Sequence, residues 1–162
     1  MQKNQTMHLL LLGLDYCNYY LSCFSNKSLK TQQLIQNAAA WLLTGTRKRD
    51  HISPVLASLH WLPVKSRIEF QILLLTYKAF HGQAPSYLKD LIVPYNPTRI
   101  LRFQNAGSLV VPRVSKSQMG GRAFSYQAPL LWNLLPVSVW EADTICAFRS
   151  RVKAFLFDKA YS

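Results

Sequence analysis

Acidic residues are what this chain has least of. Seven Asp and Glu stand against nineteen Lys and Arg, a formal charge of +12, and no acid lies between Asp15 and Asp50 or between Asp90 and Glu141. Such an imbalance favours a polyanionic partner, nucleic acid or an anionic membrane surface, without selecting between them; the plain alternative is a protein that is merely basic. Cysteine is also sparse. Cys17, Cys23 and Cys146 form no Cys-x-x-Cys pair and no His-Cys cluster at zinc spacing, which argues against a zinc site and against a disulfide framework. A reduced intracellular setting, nucleus or cytoplasm, is expected rather than secretion. Long apolar runs are missing as well. Residues 7–14 follow a single lysine in the manner of a weak signal peptide, but Asp15 ends the run and no Ala-x-Ala-like cleavage residues follow. No stretch reaches the roughly 18 to 20 apolar residues of a membrane span, so no membrane partner is expected. Residues 7–24 read as a divergent or cut-off helix.

What the chain does have is apolar content: 49% hydrophobic residues and 16% charged among 162. That is enough for one real core, in a single domain or a piece of a larger one, and it excludes a disordered chain or a coiled coil. Residues 59–92, LHWLPVKSRIEFQILLLTYKAFHGQAPSYLKDLI, are the stretch around which the rest is organised. Pro63 suits a first helical turn and Gly82 the left-handed residue after a last one, which predicts a central helix over about 64–81. At about 100° per residue, Ile68, Ile72, Leu75 and Ala79 share one side, and Phe70, Leu73, Tyr77 and Phe80 lie nearly opposite. Two apolar stripes predict a sandwiched helix, one face of which could have been made for a domain that this chain lacks. Lys65, Glu69 and Thr76 on one seam, and Arg67, Gln71 and Lys78 on the other, should reach solvent, with Lys65 and Glu69 at pairing distance.

Before this helix, Ser28 can cap a helix running to about Leu43 and stopped by Gly45. Its Leu34, Ile35, Ala38, Trp41 and Leu42 share a face that should dock on the central helix, with Gln33, Gln36 and Asn37 turned away. Arg47, Lys48 and Arg49 then form a basic loop, readable as a phosphate contact or as solvated charge. Ser53 and Pro54 suggest a cap and first turn of a short helix leading to His60. No second metal ligand or nucleophile stands at a useful spacing from His60, so packing or capping is its expected role. Pro85 can start another short helix through Tyr87, Leu88, Leu91 and Ile92. Between residues 93 and 122 prolines and glycines break any long helix, while Arg99, Arg102, Arg113, Lys116 and Arg122 add charge without acids. Residues 108–114 could be an edge strand paired with residues 100–103, or an extended arm. Gly120 and Gly121 make a turn, not a phosphate loop. Residues 124–132 can be helical with a kink at Pro129, and Asp143 or Thr144 can cap a last helix bearing Ile145, Phe148, Val152, Phe155 and Leu156 on one face. Arg149 and Lys153 share another face, read as wet.

The strings LDYCN at 14–18, QLIQNAAA at 33–40, LHWLPVKSRIEF at 59–70, APSYLKDLI at 84–92, LVVPR at 109–113 and LWNLLP at 131–136 occur in this order. Together they resemble the C-terminal segment of the reverse transcriptase of LINE-type, non-LTR retrotransposons, from about Leu14 to Phe157. The resemblance implies a thumb and trailing region downstream of a polymerase palm, holding primer and template by their backbones. The palm's paired aspartates for two-metal phosphoryl transfer have no counterpart, since no two Asp are adjacent and Asp15 and Asp50 are isolated. No catalytic residue, metal ligand or cofactor is therefore assigned. The first thirteen residues match no such string.

The expected fold is mainly α, a small helical bundle around the helix at about 64–81, with a possible short β-hairpin or extended arm at about 99–114. The expected organisation is a divergent 1–13, a thumb-like helical 14–92, a basic arm 93–122 and a helical 123–162 packing back on the core. The expected function is a non-catalytic retrotransposon-derived fragment that binds an RNA or DNA backbone through Arg47, Lys48, Arg49, Arg99, Arg102, Arg113 and Lys116. The missing polymerase domains would be a further partner. The alternatives are a protein-interaction scaffold, or a product without selected function, and more remotely a metal-independent hydrolase using His60 or His51.

Overall fold

The computed structural model describes residues 26–47, 50–95, 107–113, 121 and 123–162. Among these residues the chain is mainly α-helical, with α1 (Asn26–Thr44), α2 (Ile52–Ser58), α3 (Val64–Phe80), α4 (Ser86–Lys89), α5 (Phe124–Trp132), α6 (Val137–Trp140) and α7 (Ile145–Tyr161). An isolated antiparallel bridge joins Pro94 to Leu109. The chain divides into two compact units, Met1–Phe70 with Ala154–Ser162, and Gln71–Lys153. The divisions fall inside α3 and α7.

Helix ends follow the local chemistry closely. α3 starts directly after Pro63 and closes through Gly82, whose φ of +67° lies in the left-handed region. There the Gln83 N–H donates to the Lys78 carbonyl at 2.7 Å, satisfying one of the last orphan carbonyls. α2 closes the same way on a residue that carries a side chain. His60 has φ +53°, its N–H donates to Ala57, and the Trp61 N–H reaches back to Leu56 at 2.9 Å. His60 is thus a helix-closing residue, exposed, with its ring 5.7 Å from that of Phe157. At α7 the choice of cap falls on Thr144, whose hydroxyl accepts the Ala147 N–H at 3.2 Å. Two expected caps are displaced. Ser28 lies within the first turn of α1, and Ser53 within that of α2, which begins one residue earlier behind His51.

On α3, Ile68, Ile72 and Ala79 on one side and Leu73 and Tyr77 on the other are buried, and Leu75 and Phe70 are half-buried. Of the stripe that could have been made for a missing domain, Leu73 and Tyr77 are buried by this chain, whereas Phe70 is half-buried and Phe80, at its end, is exposed. Thr76 was expected on a solvent seam but is fully buried, because its hydroxyl donates to the Ile72 carbonyl one turn back and carries no unmet polarity inward. Glu69 pairs with Lys159 of α7 at 3.3 Å instead of with Lys65.

The largest correction concerns α1. Most of its supposed inner face points outward: Leu34 and Ile35 are exposed and Leu42 is 80% exposed, with Trp41 half-buried, whereas Gln36 retains 1% of its surface. The reason lies at the start of α3. Around Pro63 the chain has a carbonyl at Leu62 and an amide at Val64 with no helical partner. Gln36 Nε2 donates to the Leu62 carbonyl at 2.8 Å, and the Val64 N–H donates to Gln33 Oε1 at 2.9 Å. Gln33 Nε2 in turn donates to Gln36 Oε1 and to Asn37 Oδ1, which locks both amides. A buried polar group costs too much unpaired for an apolar face to take its place here. Only Ala40 of this helix joins the small core with Val55 and Leu56, flanked by Ile52, Leu59, Trp61 and Tyr161.

In the second unit Tyr77 stacks on Phe148 with centroids 4.3 Å apart, and Phe148 on Trp132 at 5.6 Å. The Tyr77 hydroxyl donates to the Ala142 carbonyl at 2.9 Å, so its burial leaves no polar atom unmet. α5 runs unbroken across Pro129, which is buried within it. The expected partner of residues 108–114, residues 100–103, lies outside the described residues; the bridge that is described uses Pro94, at the end of the segment following α4. Gln36→Leu should lower stability by about 1–3 kcal/mol, the cost of an orphaned buried carbonyl, while Leu42→Gln should change it by less than about 0.5 kcal/mol. Urea midpoints of the two variants measure this, and the reverse order would restore the apolar-inward reading of α1.

Candidate nucleic-acid interface

The chemistry of a backbone-binding surface requires cations that project into solvent and are not neutralised by neighbouring acids. Of the seven residues expected to supply it, Arg47 and Arg113 are described and both are exposed. Lys48, Arg49, Arg99, Arg102 and Lys116 lie outside the described residues. Arg47 belongs to the first unit and Arg113 to the second.

Arg47 stands at the opening of the loop after α1. Gly45, with φ +68°, closes that helix, its N–H donating to the Trp41 carbonyl at 2.9 Å. The loop is then folded back by a reciprocal pair: the Arg47 N–H donates to Asp50 Oδ2 at 3.1 Å, and the Asp50 N–H donates to the Arg47 carbonyl at 2.9 Å. Asp50 therefore spends its carboxylate on the Arg47 backbone. Arg113 follows the Pro94–Leu109 bridge by four residues, so its Cα is tethered within about 14 Å of an anchored point.

Further exposed cations stand where the sequence reading assigned no contact. Lys27 and Lys30 lie in the first turns of α1, a helix without an acid; the acid-free interval from Asp15 to Asp50 was the available signal. On α7, Arg149, Arg151 and Lys153 are exposed. Arg151 Nη1 donates to the Ser138 carbonyl at 2.6 Å, tying that guanidinium to the end of α6. Arg149 and Lys153, one turn apart, repel each other mildly in water and would be relieved by an anion between them.

Among the described residues, neither His51 nor His60 makes a side-chain hydrogen bond. His60 closes α2, and His51 precedes it as an exposed N-cap position without a side-chain cap bond. Among the described residues no three of His, Cys, Asp and Glu come together as a metal-binding group, and no helix is long and apolar enough to cross a membrane. Comparison with protein-family models, with curated proteins and with solved structures finds no match to this chain.

Among the described residues, one titratable group is clearly displaced. Burial pushes the Tyr161 phenol above the ordinary tyrosine value, and its hydroxyl donates to the Trp61 carbonyl. Because the folded state resists ionisation, this contribution to stability is fully present below the ordinary tyrosine pKa and is lost as pH rises through the raised folded value. Tyr161→Phe should cost about 0.5–1.5 kcal/mol at neutral pH and flatten the alkaline fall in melting temperature. An alkaline limb identical in both proteins would show that Tyr161 does not carry it.

Proposed function

We propose that this chain is a non-catalytic segment of retrotransposon origin whose role is to hold a nucleic-acid backbone, in the manner of a polymerase thumb and its trailing region. The observation that carries the reading is the charge distribution: a net +12 with two long acid-free intervals, within which Arg47 and Arg113 are exposed. Nineteen cations against seven acids leave a surplus of twelve positive charges, and a phosphate backbone supplies many negative charges at fixed spacing. Arg47, Lys48 and Arg49 would act as one contact point, and Arg99, Arg102, Arg113 and Lys116 as a second, each reading phosphate and not base. The ordered strings shared with LINE-type reverse transcriptases support the origin, and the lack of paired aspartates supports the absence of polymerase chemistry.

A second reading, a protein-interaction scaffold, is favoured by a different observation: the outward apolar residues Leu34, Ile35 and Leu42 of α1. The two readings separate on salt. Titrating a labelled RNA–DNA primer-template duplex should give an affinity that falls linearly on a log–log plot, with a slope of about −0.9 per phosphate neutralised. The triple change Arg47→Glu, Lys48→Glu and Arg49→Glu should reduce that slope by about 1 or more. No binding at roughly 50 mM salt, or an affinity indifferent to salt, overturns the proposal.

A further inference from the structure

Residues 107–110 are held in the second unit in a way unlike an ordinary loop. Trp132 Nε1 donates to the Gly107 carbonyl at 2.9 Å. Asn133 grips Leu109 with both ends of its amide: Nδ2 donates to the Leu109 carbonyl at 2.8 Å, and the Leu109 N–H donates to Oδ1 at 2.9 Å. From the opposite side, the Tyr95 N–H donates to the Ser108 carbonyl at 2.9 Å and the Val110 N–H to the Val93 carbonyl at 2.8 Å. Five tertiary hydrogen bonds thus reach the backbone of four consecutive residues. They read an extended main chain and no side chain.

Side-chain selection is added at two positions. Leu109 is buried. Gly107 has φ +106°, and a Cβ there would lie 2.6 Å from Cζ3 of Trp140, whose ring is fixed by a hydrogen bond of 3.0 Å from its Nε1 to the Leu135 carbonyl. The requirement is a glycine at positive φ followed, after one residue, by a leucine in extended form. Main-chain pairing for affinity with pockets for alternate side chains for specificity is how proteins capture peptide strands.

We infer that the groove formed by Val93, Tyr95, Trp132, Asn133 and Trp140 is a peptide-recognition site for an extended Gly-x-Leu segment, occupied in this chain by its own residues 107–109. The occupant is tethered, so it competes with any external peptide at an effective concentration on the order of millimolar. An external strand of the same pattern binds by displacing it. This reading is independent of the nucleic-acid proposal and uses none of the cations.

The test is a fluorescent peptide with the sequence of residues 105–112, NAGSLVVP, titrated into the full chain and into the Gly107→Ala chain. Removing the internal competitor should tighten peptide binding about tenfold or more, and adding Asn133→Ala to Gly107→Ala should abolish it, as should alanine for glycine in the peptide. A folded Gly107→Ala chain that binds no better than the parent overturns the inference. Should Gly107→Ala not fold, excess peptide added to the parent chain must accelerate amide exchange at Leu109 and Val110, whose protection it would displace; unchanged exchange overturns the inference equally.

Discussion

Among the described residues, backbone groups left without a helical partner recur at buried and part-buried positions, and the structure depends on how they are paired. The same solution recurs. A side chain with a rigidly oriented polar head is brought from another element: Gln36 to the Leu62 carbonyl, Gln33 to the Val64 amide, Tyr77 to the Ala142 carbonyl, Trp132 and Asn133 to residues 107 and 109. Each such bond adds only about 1 kcal/mol net, but its loss leaves a buried dipole whose desolvation costs more. The constraint therefore acts mainly by exclusion. It decides which face of α1 turns inward and where the segment after Gly107 must lie.

This explains which parts of the fold were legible in the sequence. Signals that act within a few residues were readable. Pro63 and Gly82 marked α3 to within a residue, and Thr144 was one of two named caps for α7. The two apolar stripes of α3 were also readable, since a helix with hydrophobic residues on opposite sides has to be covered twice. What failed was the step from apolar periodicity to inward orientation on α1. Leu34, Ile35, Ala38 and Leu42 form as good a stripe as any in the chain, yet the demand came from Leu62 and Val64, some 26 to 31 residues away in sequence. Periodicity describes a helix by itself and carries nothing about the unpaired groups of its neighbour. Thr76 failed in the opposite direction: it counts as polar on a helical wheel, but its hydroxyl is satisfied by its own helix and travels into the core at little cost.

The candidate interface was legible in a different sense. A ratio of nineteen cations to seven acids needs no structure to be seen, and the exposure of Arg47 and Arg113 follows from the cost of burying an unpaired guanidinium. Sequence could not foresee the local use of the acids. Asp50, directly after the basic cluster Arg47 to Arg49, would be expected to pair with one of its side chains. Instead its carboxylate holds the Arg47 amide. Nor could it foresee Glu69, which has Lys65 one helical turn before it and whose partner is Lys159, ninety residues on.

The strings that carry the resemblance to retrotransposon reverse transcriptases take on a particular meaning beside these bonds. In QLIQNAAA the polar residues Gln33, Gln36 and Asn37 form the inward bracket. In LHWLPVKSRIEF, His60 closes one helix, Trp61 packs on Val55 and Leu56, Leu62 supplies the bracketed carbonyl and Pro63 opens the next helix. In LWNLLP, Asn133 grips the backbone of Leu109, the first residue of LVVPR, and Trp132 that of Gly107 just before it. Within the first unit QLIQNAAA thus meets LHWLPVKSRIEF, and within the second LWNLLP meets LVVPR. Six of the seven cations proposed for phosphate contact lie between the strings, Arg113 being the exception. Such strings therefore speak to how the chain folds, and carry no weight for the proposed contact itself. The weight for the contact has to come from the charge between the strings, which is why ionic strength, and not similarity, is the variable that decides it.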